Sequence, residues 1–227
     1  MGRKSLHWFK GDDKKMALIF FDYDGVMVDS LDAEAKYYIE SCREVGVDAV
    51  KNKADMALLS EGNFYKGLRD RGLSDDDIKK INDIYATVKK DGRFLTKAFP
   101  EMFQLIQEVG TSFPVYVITS NISETVENRL KEYGVTAVKE VLGADKETSK
   151  EKKILSVMDK YPGERTLFLG DTKGDMVESA AAGINLRLGV TWGWQPPEVV
   201  LAGDPDYYFN TISDLVAWFQ GFLDAQN

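Results

Sequence analysis

The chain is predicted to be an α/β protein, a doubly wound parallel sheet with an inserted α-helical cap domain. Three observations in its 227 residues point there. Short apolar runs of strand character alternate with stretches whose apolar residues recur three and four apart, the pattern of a parallel sheet covered on both faces. One block, residues 30–97, breaks that alternation and holds no convincing strand. Two acidic segments, Asp22-Tyr23-Asp24-Gly25-Val26 and Gly170-Asp171-Thr172-Lys173-Gly174-Asp175, follow directly on apolar runs, where doubly wound sheets open a crevice for ligand.

Residues 1–15 are polar and basic, with Leu6, Trp8 and Phe9 as apolar exceptions, and are read as an N-terminal extension. The first strand is placed at 16–21. Within the block 30–97, Leu31, Ala35, Tyr38, Cys42 and Val45 step by four and three, giving one apolar stripe on a helix. Ser74-Asp75-Asp76-Asp77 is a capping box ahead of Ile78, Ile81, Tyr85 and Val88, so a second long helix starts there and ends near Gly92. The block is therefore read as an α-helical cap, and 16–29 with 98–227 as the core.

Further strands are placed at 114–118, 138–142, 165–169, 185–190 and 207–209. The helices between them bury Met102, Leu105 and Ile106; Val126, Leu130 and Tyr133; Ile154, Val157, Met158 and Tyr161; and, last, Leu215, Trp218, Phe219 and Phe222. Gly110 and Gly134 are read as left-handed residues closing two of these helices. A cap that leaves just after the first aspartates and returns before the second strand lies over the strand ends, placed as a lid.

Composition narrows the classes. A hydrophobic share of 44% is enough for a sizeable core, and the formal net charge of −8 disfavours nucleic acid and anionic membrane surfaces, which reward basic patches. No run approaches the roughly 20 apolar residues that span a bilayer. The single Cys42 excludes an internal disulfide framework and suits a reducing, cytoplasmic setting; His7, the only histidine, lies in the extension and is given no chemical role.

The chemistry is expected at the strand ends. Carboxylates held within a few ångströms repel or raise each other's pKa, so Asp22, Asp24, Asp171 and Asp175 imply a bound cation. In a doubly wound sheet the fourth strand returns beside the first, which brings the two acidic segments together. Thr119, after the second strand in Val117-Ile118-Thr119-Ser120-Asn121, and Lys150, ahead of the helix before the fourth, converge on the same pocket.

With those segments in place the chain resembles the haloacid dehalogenase superfamily, in particular its phosphoglycolate-phosphatase-like members with a helical cap. Asp22-Tyr23-Asp24-Gly25-Val26 matches the family's DxDG(T/V) motif, Val117-Ile118-Thr119 its apolar run ending in Thr or Ser, and Gly170-Asp171 to Asp175 its GDxxxD motif. The motifs arrive in the family's order, and the resemblance covers nearly the whole chain from Met16 onward. It implies a Rossmann-like core and a magnesium-dependent phosphatase acting on a small phosphorylated metabolite. Asp22 would be the nucleophile that forms an aspartyl-phosphate, and Asp24 the acid and base that serves the leaving oxygen and then the attacking water. Mg2+ would be held by the Asp22 carboxylate, the Asp24 main-chain carbonyl and the Asp171 carboxylate, with Asp175 orienting a metal-bound water. Thr119, Ser120 and Lys150 would hold the phosphoryl oxygens, with Lys153 in reserve for Lys150.

Departures from the family's other activities narrow the reading. Dehalogenases lack the second acid, so Asp24 argues for phosphoryl transfer. Phosphosugar mutases carry a histidine shortly after the first motif, and this chain has none there. A mutase and a catalytically silent phosphometabolite-binding protein stand as the alternatives. Arg43, Asn63, Tyr65, Lys66, Arg69 and Arg71 are the cap residues offered for specificity, chosen for polar or cationic chemistry. The substrate, with phosphoglycolate suggested by resemblance alone, and the oligomeric state are left open, as is the place of Thr191-Trp192-Gly193-Trp194 between core packing and pocket rim.

Overall fold

The computed structural model describes residues 17–224, so the extension at 1–15, with His7, and also Met16 lie outside the described residues. Strand β1 (Ala17–Phe21) leads through a short strand β2 (Val28–Asp29) into helices α1 (Leu31–Val45), α2 (Lys53–Leu59), α3 (Phe64–Asp70) and α4 (Asp75–Val88). The chain returns through β3 (Lys97–Ala98) to α5 (Pro100–Ser112). There follow β4 (Val115–Ile118), α6 (Ser123–Glu132), β5 (Val138–Leu142), α7 (Lys150–Met158), β6 (Arg165–Gly170) and α8 (Lys173–Ala181). The last elements are β7 (Leu186–Val190), α9 (Pro197–Leu201), β8 (Tyr207–Phe209) and α10 (Ile212–Asp224).

Six strands form one parallel sheet in the order β5-β4-β1-β6-β7-β8, the doubly wound arrangement expected from the sequence. In β1 every residue is buried, because helices cover both faces. Ala17, Ile19 and Phe21 join the cluster with α5, α6 and α10, while Leu18 and Phe20 join the opposite one with α7 and α8. Register then places the chemistry: Phe21 pairs with Val117 on one side and Leu169 on the other, so the residues after these strands emerge on one edge.

Helices α1 to α4 bury a third apolar cluster of their own, which includes Tyr38, Cys42, Leu68 and Ile81. Antiparallel pairing of β2 with β3, Val28 opposite Ala98, clamps the outgoing and returning chain side by side. The predicted capping box opens α4: the Ser74 hydroxyl accepts from the Asp77 N–H, and the Asp77 carboxylate from the Ser74 N–H, each at 3.1 Å. A 3-10 turn at Lys89–Asp91 follows α4, and Gly92 ends it at φ 65°. No helix among the described residues is long and apolar enough to cross a membrane.

Some boundaries differ from the sequence reading. Gly110 does not close a helix: it lies inside α5, where a Cβ would stand 2.5 Å from Ala137 Cβ, so it serves close packing. Gly134, at φ 70°, does turn left-handed as expected. β4 starts after Pro114, β6 runs one residue further to Gly170, and β7 starts after Asn185. Asn185 instead turns its side-chain oxygen to the Thr166 N–H and hydroxyl, at 2.9 and 3.1 Å. Strands β2 and β3, two residues each, are too short to leave a periodicity and were not expected.

The core that supports the strand ends is aromatic. Phe219 of α10 is fully buried, with its ring 5.8 Å from Phe21 and 5.1 Å from Trp218. Truncating such a ring costs about 3–5 kcal/mol. Phe219→Ala is therefore expected to lower the urea-unfolding free energy by about that amount, and an unchanged midpoint would contradict this packing.

Candidate active site

Asp22 begins where β1 ends, its N–H donating to the Leu169 carbonyl at 2.8 Å, so the first acidic segment is anchored to β6. A positive φ of 74° at Gly25 turns the chain back, and the Gly25 N–H closes on the Val28 carbonyl at 2.9 Å. The second acidic segment starts at the end of β6, where Thr172 caps α8 and Asp175 completes the capping box. One Asp175 oxygen is consumed by that box, accepting from Thr172 N–H and hydroxyl at 3.0 and 2.7 Å. Its other oxygen accepts from Lys150 Nζ at 2.5 Å, and the same ammonium donates to Asp22 at 2.7 Å.

Ligand oxygens of Asp22, Asp171 and Asp175 all lie within 4.8 Å of one another, and all three residues are buried. Burial raises the Asp22 carboxyl to about 8 and pushes Asp171 well above the usual carboxylate range, with Asp175 adding repulsion in both cases. Burial opposes the Lys150 charge, but Asp175 and Asp22 more than offset it and hold its pKa above the ordinary lysine value. Three carboxyl groups face one ammonium, so ionising all of them calls for positive charge beyond Lys150, and Asp171 keeps a buried oxygen with no hydrogen-bond partner. Such a hard, all-oxygen donor set fits a divalent cation such as magnesium.

The backbone is fitted closely around Asp171. Its partnered oxygen accepts from the Trp194 N–H at 2.6 Å. A Cβ on Gly25 would come within 1.9 Å of that oxygen, and one on Gly193 within 2.1 Å, so only glycine is accommodated at either position. The segment Thr191-Trp192-Gly193-Trp194 thus serves both purposes left open by the sequence: Trp192 packs against the main core, and Trp194 lines the pocket.

Asp24 is oriented differently from Asp22. One carboxylate oxygen accepts from Asn121 Nδ2 at 2.9 Å and lies 3.5 Å from the Thr119 hydroxyl; the other is buried with no partner. Thr119 and Ser120 line the same pocket, on the loop after β4. Lys150, the first residue of α7, reaches the cluster, whereas Lys153 donates to the Thr119 carbonyl at 2.6 Å and is lowered to about 7 by burial, with Lys150 adding to the shift. The carboxylate group contains Asp22, Asp171 and Asp175; the Asp24 carboxylate faces Asn121 and Thr119 instead, and its expected part in holding metal was through the main-chain carbonyl.

The cap closes the pocket, but mostly not with the residues chosen from the sequence. Among the six, only Tyr65 lines it. Lys66 and Arg69 pair with Asp70 and Asp75 on the surface, Arg71 donates to the Ala49 carbonyl, and Arg43 is exposed, because long charged chains reach for solvent. Asn63 caps α3 and donates across to Glu178 at 2.9 Å, and Glu178 also accepts from the Lys150 N–H at 2.9 Å. Glu34 of α1 enters the pocket, bonded to Tyr85 and, at 2.5 Å, to Lys89, whose ammonium also reaches Asn121 at 2.7 Å. Glu34, Tyr85, Lys89, Asn121 and Glu178 were not chosen from the sequence as site residues. Asn121, two residues beyond Thr119, is the one that its own motif pointed toward.

Removing one partner from a buried charged group is destabilising by about 3–5 kcal/mol. With chelator present, Lys150→Met is expected to lose about 3 kcal/mol or more in urea unfolding, since Asp22 and Asp175 would keep their burial and lose their counter-charge.

Comparison with known proteins agrees with this architecture. The family model described as haloacid dehalogenase-like hydrolase matches residues 19–188. Phosphoglycolate phosphatase of Vibrio parahaemolyticus is 25% identical over 218 residues, spanning 88% of this chain and 94% of the relative. Phosphoglycolate phosphatase of Synechococcus elongatus is 24% identical over 205 residues, spanning 88% and 96%. Among solved structures, the haloacid dehalogenase-like hydrolase SP0104 of Streptococcus pneumoniae superposes with a TM-score of 0.70 at 26% identity, covering 91% of this chain and 99% of its own.

Proposed function

Since this chain belongs to the haloacid dehalogenase-like hydrolase family, we propose that it is a magnesium-dependent phosphatase that hydrolyses a small phosphorylated metabolite through an aspartyl-phosphate on Asp22. The observation that carries this reading is the meeting of two differently dressed aspartates, Asp22 and Asp24, in one pocket with Lys150 and Asp171. Residues 30–97 are taken as the cap and 16–29 with 98–227 as the core, and the enzyme is taken to work in the cytoplasm.

In this reading an Asp22 oxygen attacks phosphorus, the bond to the ester oxygen breaks, and Asp24 gives its proton to that departing oxygen. Water then attacks the aspartyl-phosphate, Asp24 takes the proton back, and Asp22 is released with inorganic phosphate. Asp24 suits the part because one oxygen is pinned by Asn121 while the other has no partner in the protein. Lys150 and the hydroxyls of Thr119 and Ser120 hold the phosphoryl oxygens in line. Asp22, Asp171, the Asp24 carbonyl and Asp175, directly or through water, would hold Mg2+, which supplies charge neutralisation for phosphate among carboxylates. The cap excludes water and delivers the selectivity.

Phosphate release from a panel of esters is expected to require magnesium and to stop with chelator. Asp22→Asn should lose all but a trace of it, and Asp24→Asn should slow it by about 10²–10⁴-fold, the usual worth of acid and base catalysis. Release that survives in Asp22→Asn would overturn the covalent route.

A further inference from the structure

The part of the pocket that faces away from phosphate has a definite chemistry. Lys150 is the only cationic side chain among the described residues lining it, and its ammonium is committed to Asp22 and Asp175. Lys153 lies behind the pocket with its ammonium on the Thr119 carbonyl at 2.6 Å, and Lys89 lies in a neighbouring cleft. The three Lys89 protons are taken by Glu34, the Tyr85 hydroxyl and Asn121, at 2.5, 2.8 and 2.7 Å, so none is left for a ligand. The cap side presents instead a carboxylate, Glu34, with the tyrosines Tyr38, Tyr65 and Tyr85 and the apolar Phe64 and Met56.

Within that wall one polar group lacks a partner. Tyr38 is buried at 4% exposure, held edge-on to Phe64 at 5.2 Å, and its hydroxyl makes no hydrogen bond in the protein. Tyr85 differs, since its hydroxyl bonds Glu34 and Lys89. A buried hydroxyl without a partner is an unfavourable arrangement unless something else supplies one.

We propose that the ester carries an uncharged, hydroxyl-bearing leaving group, of the polyol or sugar class, and that the Tyr38 hydroxyl hydrogen-bonds it, while a carboxylated leaving group is disfavoured. A carboxylate entering here would meet Glu34 and find no free cation, and its desolvation would go uncompensated. An uncharged polyol meets aromatic walls and a waiting hydroxyl. This inference rests on the phosphatase reading and goes against the ester in the relatives' printed name.

The test is kcat/KM for phosphate release by the full chain with magnesium. The esters are phosphoglycolate and 3-phosphoglycerate, against glycerol 3-phosphate and hexose 6-phosphates. The best uncharged ester should exceed both carboxylated ones by at least tenfold. Tyr38→Phe should keep its thermal midpoint, since no protein contact is lost, and should lower kcat/KM for the best uncharged ester about fivefold, near the usual worth of one hydrogen bond. Phosphoglycolate equal to or better than every uncharged ester would overturn the inference and leave the phosphatase standing, as would Tyr38→Phe without effect on selectivity. No magnesium-dependent release from any ester would overturn the phosphatase reading and the inference together.

Discussion

The structure depends on the crowding of carboxylates at the carboxyl ends of β1 and β6. Asp22 and Asp171 follow directly on adjacent strands because Phe21 and Leu169 are paired, and Asp175 joins them from the first turn of α8. Each is buried, so their mutual repulsion is little screened by water. Lys150 is the protein's own answer to that repulsion, and it arrives from α7, which packs beside α8. Everything near the cluster is arranged around the same charge: glycines at 25 and 193 admit the Asp171 carboxylate, and the Trp194 N–H steadies it.

A second charged network ties the cap to this edge. Asn121 holds Asp24 with its amide nitrogen and receives Lys89 on its amide oxygen, and Lys89 in turn holds Glu34 on α1. The bonded chain therefore runs from a core aspartate to two parts of the cap. On the other flank the Gly174 N–H donates to the Ser60 carbonyl at 3.0 Å, and Asn63 reaches Glu178. Both contacts join the cap to α8, which carries Asp175, and Asn63 also donates to the Thr148 carbonyl at 3.2 Å, just ahead of Lys150. The helical insertion and the acidic cluster are thus parts of one hydrogen-bonded structure.

The legible parts of this protein were those with a local signal. Strands buried on both faces announce themselves as continuous apolar runs, and amphipathic helices as steps of three and four. The capping box at Ser74 and the left-handed Gly134 were visible for the same reason, since one turn of chain decides them. Gly110 was misjudged because a helix-closing glycine and a close-packing glycine look alike until Ala137, distant in sequence, is placed against it. The cap residues were misjudged because charge was taken as the mark of a substrate-reading group, whereas Lys66, Arg69 and Arg71 spend theirs on neighbours at the surface.

The sequence by itself determined the sheet with its helical insertion and the four aspartates at its edge, since apolar periodicity and short motifs are properties of neighbouring residues. Tertiary structure decided which lysine meets the carboxylates, which oxygen of Asp24 is left unpartnered, and that Glu34, Tyr38 and Trp194 line the pocket. Those outcomes turn on the register of β1 with β6 and on the seating of α1 and α4 over the strand ends. They are contacts between residues tens of positions apart, and nothing in a local stretch of chain encodes their distance.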